Sequence, residues 1–146
     1  NGKILLLPGH QMLKIKSEEF TFNGKQTDCM DYLSDLNNYK NLFPKDKIKN
    51  WKSEENYCEF NLQNAYTFEI LKESVSENIV FLKSGAKSPF SFEIKIEVKD
   101  KSNNLCCARI ESKSNVNSIL KTIIGKPLNE LFNHMASKIE ESISKD

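Results

Sequence analysis

Residues Phe90–Lys99, FSFEIKIEVK, alternate apolar and polar without exception over ten positions. A two-residue period is the signature of a strand, whose successive side chains point to opposite faces. One face carries Phe90, Phe92, Ile94, Ile96 and Val98; the other carries Ser91, Glu93, Lys95, Glu97 and Lys99. A sheet built from such a strand is wet on one side only, so the chain must supply a cover for the dry side.

The neighbouring sequence repeats this pattern less strictly. Further strands are expected at Ile48–Ser53, Tyr57–Leu62, Ala65–Ser74, Asn78–Ser84 and Leu105–Lys113, joined by short polar turns. Connections of two to five residues join antiparallel neighbours, because parallel strands need much longer crossovers. Ahead of them, Leu13–Phe22 reads as one strand with a bulge at Ser17-Glu18-Glu19. A short helix is expected over Thr27–Leu36 and a second helical turn over Tyr39–Phe43, stopped by Pro44. The cover is at the C-terminal end. In Ser118–Ser144, Leu120, Ile124, Leu128, Leu131, Phe132, Met135, Ile139 and Ile143 form one apolar stripe at helical spacing. Such a helix is about 40 Å long at 1.5 Å per residue. Pro127 lacks an N–H, so a kink or break is expected near Lys126.

Composition narrows the function without naming it. The chain has 146 residues with a net charge of +1, and its 21 basic residues are lysines except Arg109. Arginine is the residue of choice for bidentate phosphate and base recognition, so nucleic-acid partners are not expected. The longest apolar run, Ile4–Leu7, is far below the roughly 18 residues of a membrane span. The four cysteines and two histidines show no metal-ligand spacing, and no cofactor motif occurs, so metal and cofactor are both read as none. Reduced thiols packed as small hydrophobes fit a cytoplasmic protein. Residues 1–11 differ from the rest and are read as a leader or artefact, not a secretion signal, ahead of a single domain at 12–146.

Strand, two short helices, six strands and a long helix is an α+β order. From about Met12 to Asp146 the chain resembles the START-like superfamily, also called SRPBCC. The residues that carry the likeness are Tyr32–Tyr39 with Leu42-Phe43-Pro44, Asn50-Trp51-Lys52, Lys87–Phe92, and Lys126-Pro127-Leu128-Asn129. That superfamily includes pollen-allergen-type proteins, polyketide cyclases and coenzyme Q-binding proteins. The resemblance implies a helix-grip fold: a seven-stranded curved antiparallel sheet around a long C-terminal helix, with two short helices after strand 1. It also implies a cavity between sheet and helix, and no shared catalytic motif.

The expected cavity wall is Phe90, Phe92, Ile94 and Ile96 from the sheet, with Leu128, Leu131, Phe132 and Met135 from the helix. On Ala65–Ser74 two registers are open. One turns Tyr66, Phe68 and Ile70 inward; the other turns Glu69 inward as a polar anchor. Hydrophobicity favours the first, which adds Phe68 and Ile70 to the wall. Arg109 is expected on the wet face beside glutamates, His134 on the solvated border of the helix, and Trp51 in core or edge packing. The function these residues suggest is non-catalytic binding of a small apolar or amphipathic molecule, such as a lipid, quinone or polyketide-like compound. A polyketide-cyclase-like enzyme would need convergent polar groups in the cavity. A protein-interaction adaptor would have the cavity collapsed.

Overall fold

A computed structural model describes residues 10–62 and 66–144. Its strands are β1 (His10–Lys16), β2 (Phe20–Asn23), β3 (Ile48–Glu54), β4 (Tyr57–Leu62), β5 (Tyr66–Val75), β6 (Ile79–Ser84), β7 (Ser91–Ser102) and β8 (Leu105–Asn117). All belong to one antiparallel sheet in the order β1-β8-β7-β6-β5-β4-β3, with β2 also paired to β8. The expected single strand Leu13–Phe22 is therefore two. Ser17–Glu19 leaves the ladder, and both flanking pieces pair with the one long strand β8. β1 begins at His10, which pairs with Asn117. The expected turn Gln63-Asn64 and the strand start at Ala65 lie outside the described residues.

β7 and β8 run past the expected ends at Lys99 and Lys113. Asn103 and Asn104 have φ of 45° and 63°. Two consecutive positive φ values make the tight turn whose twist matches paired strands, and asparagine tolerates that conformation. Pairing therefore continues to Ser102↔Leu105. At the opposite edge, Asn50 at φ 56° sits in a register shift between Lys49 and Lys52.

The helical elements are α1 (Gln26–Leu33), a 3-10 helix (Leu36–Asn41), α2 (Ser118–Ser137) and α3 (Ile139–Ser144). The first helix ends three residues earlier than expected. The Ser34 hydroxyl donates to the Met30 carbonyl at 2.6 Å. The Asp35 carboxylate then accepts the Asn37 N–H at 3.0 Å and starts the 3-10 helix, ahead of the expected Tyr39–Phe43. Tyr39 and Leu36 of this helix are fully buried, and it packs on β3 and β4.

α2 packs on β1 and β8 and contains Pro127 in its interior. The expected break near Lys126 falls instead at Lys138, so the stretch Ser118–Ser144 forms two helices. Pro127 deprives the Ile123 carbonyl of its partner, and Ile123 lies on the exposed side of α2, where solvent can reach that carbonyl. At the real break, the Lys138 N–H donates to the His134 and Met135 carbonyls, both at 3.1 Å. The Ser137 hydroxyl takes His134 as well, at 2.8 Å. α3 is held by fully buried Ile139 and by the Ser142 hydroxyl, which donates to the Asn41 carbonyl at 3.1 Å.

Candidate functional site

Inward-facing residues of the sheet and the buried stripe of α2 enclose an apolar cavity. It is lined by Phe68 and Ile70 of β5, Phe90 just ahead of β7, Phe92 and Ile94 of β7, and Leu128, Leu131, Phe132 and Met135 of α2. These are nine of the ten residues expected in the wall. The tenth, Ile96, lies beyond it. Its backbone register places it between Val80 and Ile110, and none of the three is exposed, so this end of the core is a closed aliphatic layer.

Six lining residues were not anticipated: Tyr39, Phe43, Phe60, Leu82, Ser112 and Ser114. The alternation Cys58, Phe60, Leu62 within β4 was a usable signal for Phe60, and the same holds for Leu82 after Val80 on β6. The serines carry no apolar signal at all. Phe43 reaches the cavity from the segment just after the 3-10 helix.

The aromatic rings form a connected wall. Trp51 stacks on Phe60 at 5.8 Å and 12°, and Phe43 meets Phe60 at 4.6 Å. Phe60 stacks on Phe68 at 5.8 Å, and Phe68 contacts Phe90 edge-on at 5.8 Å and Phe92 at 6.1 Å. Offset and edge-on rings at these separations add attraction beyond their buried area. The space left is small. About 20 Å³ is open to the centre of a water-sized sphere, where one water needs roughly 10–15 Å³.

Among the described residues, the cavity lining carries no acid, amine, imidazole or thiol. Tyr39 donates its phenol to the Leu33 carbonyl at 2.8 Å, and burial pushes that phenol well above its ordinary range, so it stays neutral. Ser112 is 4% exposed, and its hydroxyl has no partner among the described residues.

The other singled-out residues lie elsewhere. Glu69 faces outward, in the register that hydrophobicity favours, and accepts the Lys87 N–H at 3.1 Å. Its own backbone is paired by a side chain: Ser88 accepts the Glu69 N–H and donates to the Glu69 carbonyl, both at 2.9 Å. A Cβ at Gly85 would collide with the Glu69 side chain, so a larger residue there would have to displace the Glu69 carboxylate. Arg109 is half-buried in the outward row of β8, in register with Glu97. Trp51 packs at the sheet edge and donates its indole N–H to Ser53 at 3.0 Å. All four cysteines are free and buried.

His134 borders a second opening. A groove of about 210 Å³ is lined by Pro44, Lys47, Leu62, Pro127, Glu130, Leu131 and His134. Leu131 lines both this groove and the cavity. Burial lowers the His134 pKa, and Lys138 and Lys47 lower it further against the pull of Asp46 and Glu141.

A continuous antiparallel sheet closed on one side by a long C-terminal helix, with two short helical segments behind the first strands, is the START-like, or SRPBCC, helix-grip fold. No protein-family model matches the chain, and no curated protein matches it. Solved structures do. A START superfamily protein from Mycobacterium smegmatis superposes with a TM-score of 0.70 at 14% identity, covering 94% of this chain and 99% of that one. A truncated norcoclaurine synthase from Thalictrum flavum gives a TM-score of 0.70 at 12% identity, covering 98% and 99%. The same synthase in complex with dopamine and hydroxybenzaldehyde gives 0.68 at 11% identity, covering 99% and 98%.

Proposed function

We propose that this chain binds a small apolar or amphipathic molecule in the cavity between sheet and α2, as a non-catalytic carrier or sensor. The observation that carries this reading is the lining itself. Its wall is aromatic and aliphatic, and its only polar members among the described residues are Tyr39, Ser112 and Ser114. Catalysis on a bound molecule needs an acid, a base or a nucleophile in contact with it. The lining offers no titrating group near neutral pH, and Tyr39 is already engaged. Norcoclaurine synthase shares the fold, but the fold does not carry its chemistry over.

Lipids, quinones and polyketide-like compounds fit this lining, with the cytoplasm as the working compartment that four free, buried thiols favour. No helix among the described residues is long and apolar enough to cross a membrane. The cavity as it stands holds about one water, whereas small-molecule sites occupy roughly 300–1,000 Å³. Uptake therefore requires α2 to move outward. The groove between Pro44 and Pro127 is the entry route, because Leu131 lines both it and the cavity.

Native mass spectrometry of protein purified without detergent, followed by organic extraction, tests the reading. A discrete co-purifying apolar compound, or uptake from a panel of lipids and quinones, supports it. A clean free mass with no uptake overturns it in favour of a packed core serving protein interaction.

A further inference from the structure

Two rungs of the sheet floor the cavity beneath α2. One runs Leu82–Ile94–Ser112–Ile15 across β6, β7, β8 and β1; the next runs Phe92–Ser114–Leu13. Every member except the serines is apolar. A hydroxyl inside such a rung costs stability unless it is hydrogen-bonded. Ser112 lines the cavity, and its hydroxyl is buried with no partner among the described residues. Ser17, also buried, shows what this chain does with a structural serine: its hydroxyl is bonded to the backbone on both sides.

We infer that Ser112 is the polar anchor of the cavity, and that the ligand is a neutral, largely apolar molecule carrying one hydroxyl or carbonyl oxygen. This rests on the cavity reading above and deepens it. Charge is excluded by the lining, because a carboxylate or ammonium would lose its water with no counter-charge to meet it. A serine hydroxyl both donates and accepts, so it serves a carbonyl or an alcohol equally. Ligands without such an oxygen would leave Ser112 unpaired and bind more weakly.

Matched probes test this. Dissociation constants are measured by ligand-observed NMR for 2-acetylnaphthalene against 2-ethylnaphthalene, and for 2-naphthol against 2-methylnaphthalene. Wild-type protein is expected to prefer an oxygen-bearing member by roughly tenfold, the worth of one net hydrogen bond. The first pair reports a carbonyl ligand and the second an alcohol. In Ser112→Ala the preference collapses toward unity, while the hydrocarbons bind as before. Free Ser112→Ala protein melts at or above the wild-type temperature, since an unpaired hydroxyl has been removed. A preference that survives Ser112→Ala, or wild-type protein that shows none, overturns the anchor and leaves the cavity standing. A variant that melts lower or fails to fold also overturns it, by showing the hydroxyl to be structural. No binding of any of the four probes overturns the cavity reading and the anchor with it.

Discussion

Ser17 and Ile110 exchange a pair of hydrogen bonds: the Ser17 N–H donates to the Ile110 carbonyl at 2.8 Å, and the Ile110 N–H donates to the Ser17 hydroxyl at 2.9 Å. In a regular antiparallel pair the second bond would go to a carbonyl. Here a side-chain oxygen stands in at the point where the chain leaves β1 for β2, and the same hydroxyl donates a hydrogen bond to the Glu18 carbonyl at 2.8 Å. Ser17→Ala leaves the buried Ile110 N–H unpaired. The expected cost is about 1–3 kcal/mol, read from urea unfolding with an unchanged slope.

Phe60 touches Phe43, Trp51 and Phe68 and is 1% exposed. Phe60→Ala removes the ring that links the sheet edge to the cavity, at an expected cost of about 3–5 kcal/mol. Trp51 is the sole tryptophan and stacks on that ring. Its emission is expected to shift in Phe60→Ala, and also in wild-type protein when a ligand parts the aromatic wall.

Burial pushes the Cys29 thiol up to about 12, with Cys106 adding to it, and burial alone pushes Cys58 up to about 12. At pH 8 their thiolate fractions fall roughly 1,000-fold below that of an ordinary thiol. Ellman's reagent is expected to leave both untouched in the native protein. All four cysteines titrate once denaturant unfolds the chain.

Glu111 is bridged by Lys95 at 3.1 Å and Lys16 at 3.2 Å. Burial pushes its carboxyl up, but the two lysines together outweigh burial and hold it below the ordinary range. A folded-state pKa below the unfolded one contributes stability above the unfolded value, near 4.5, that is lost as pH falls through the folded value. Glu111→Gln is therefore expected to flatten the loss of stability below about pH 4.5. Acid titrations of the two proteins by circular dichroism check this. Glu59, lowered by hydrogen bonds from Tyr57 and Lys87, keeps part of the slope in both.

A Cβ at Gly125 meets nothing within 4 Å, so Gly125→Ala is expected to stabilise α2 by up to about 1 kcal/mol. Pro127→Ala restores a helical N–H and stabilises it further. Both stiffen the segment beside the entry groove. Stopped-flow uptake of an apolar probe is expected to slow in both, and unchanged rates would show that α2 does not gate the cavity.

Much of the fold was legible because its signals are local. The alternation of Phe90–Lys99 identified a one-sided sheet, and Asp35 and Ser34 show why the helical region misled: side-chain caps split a stretch whose apolar spacing looked continuous. Pro127 misled in the opposite sense. The residue most hostile to a helix sits where water can solvate the orphaned carbonyl, while the real end at Lys138 is set by carbonyl partners no periodicity reveals.

Sequence alone located β3 to β8, the dry face of β7, and the helical stretch that covers it, because periodicity of two or 3.6 is a property of neighbouring residues. Tertiary structure decided what the dry faces enclose. Phe43, Phe60, Ser112 and Met135 meet around one cavity although they are far apart along the chain. Its small volume and its unpaired Ser112 hydroxyl arise only from how those surfaces close on one another.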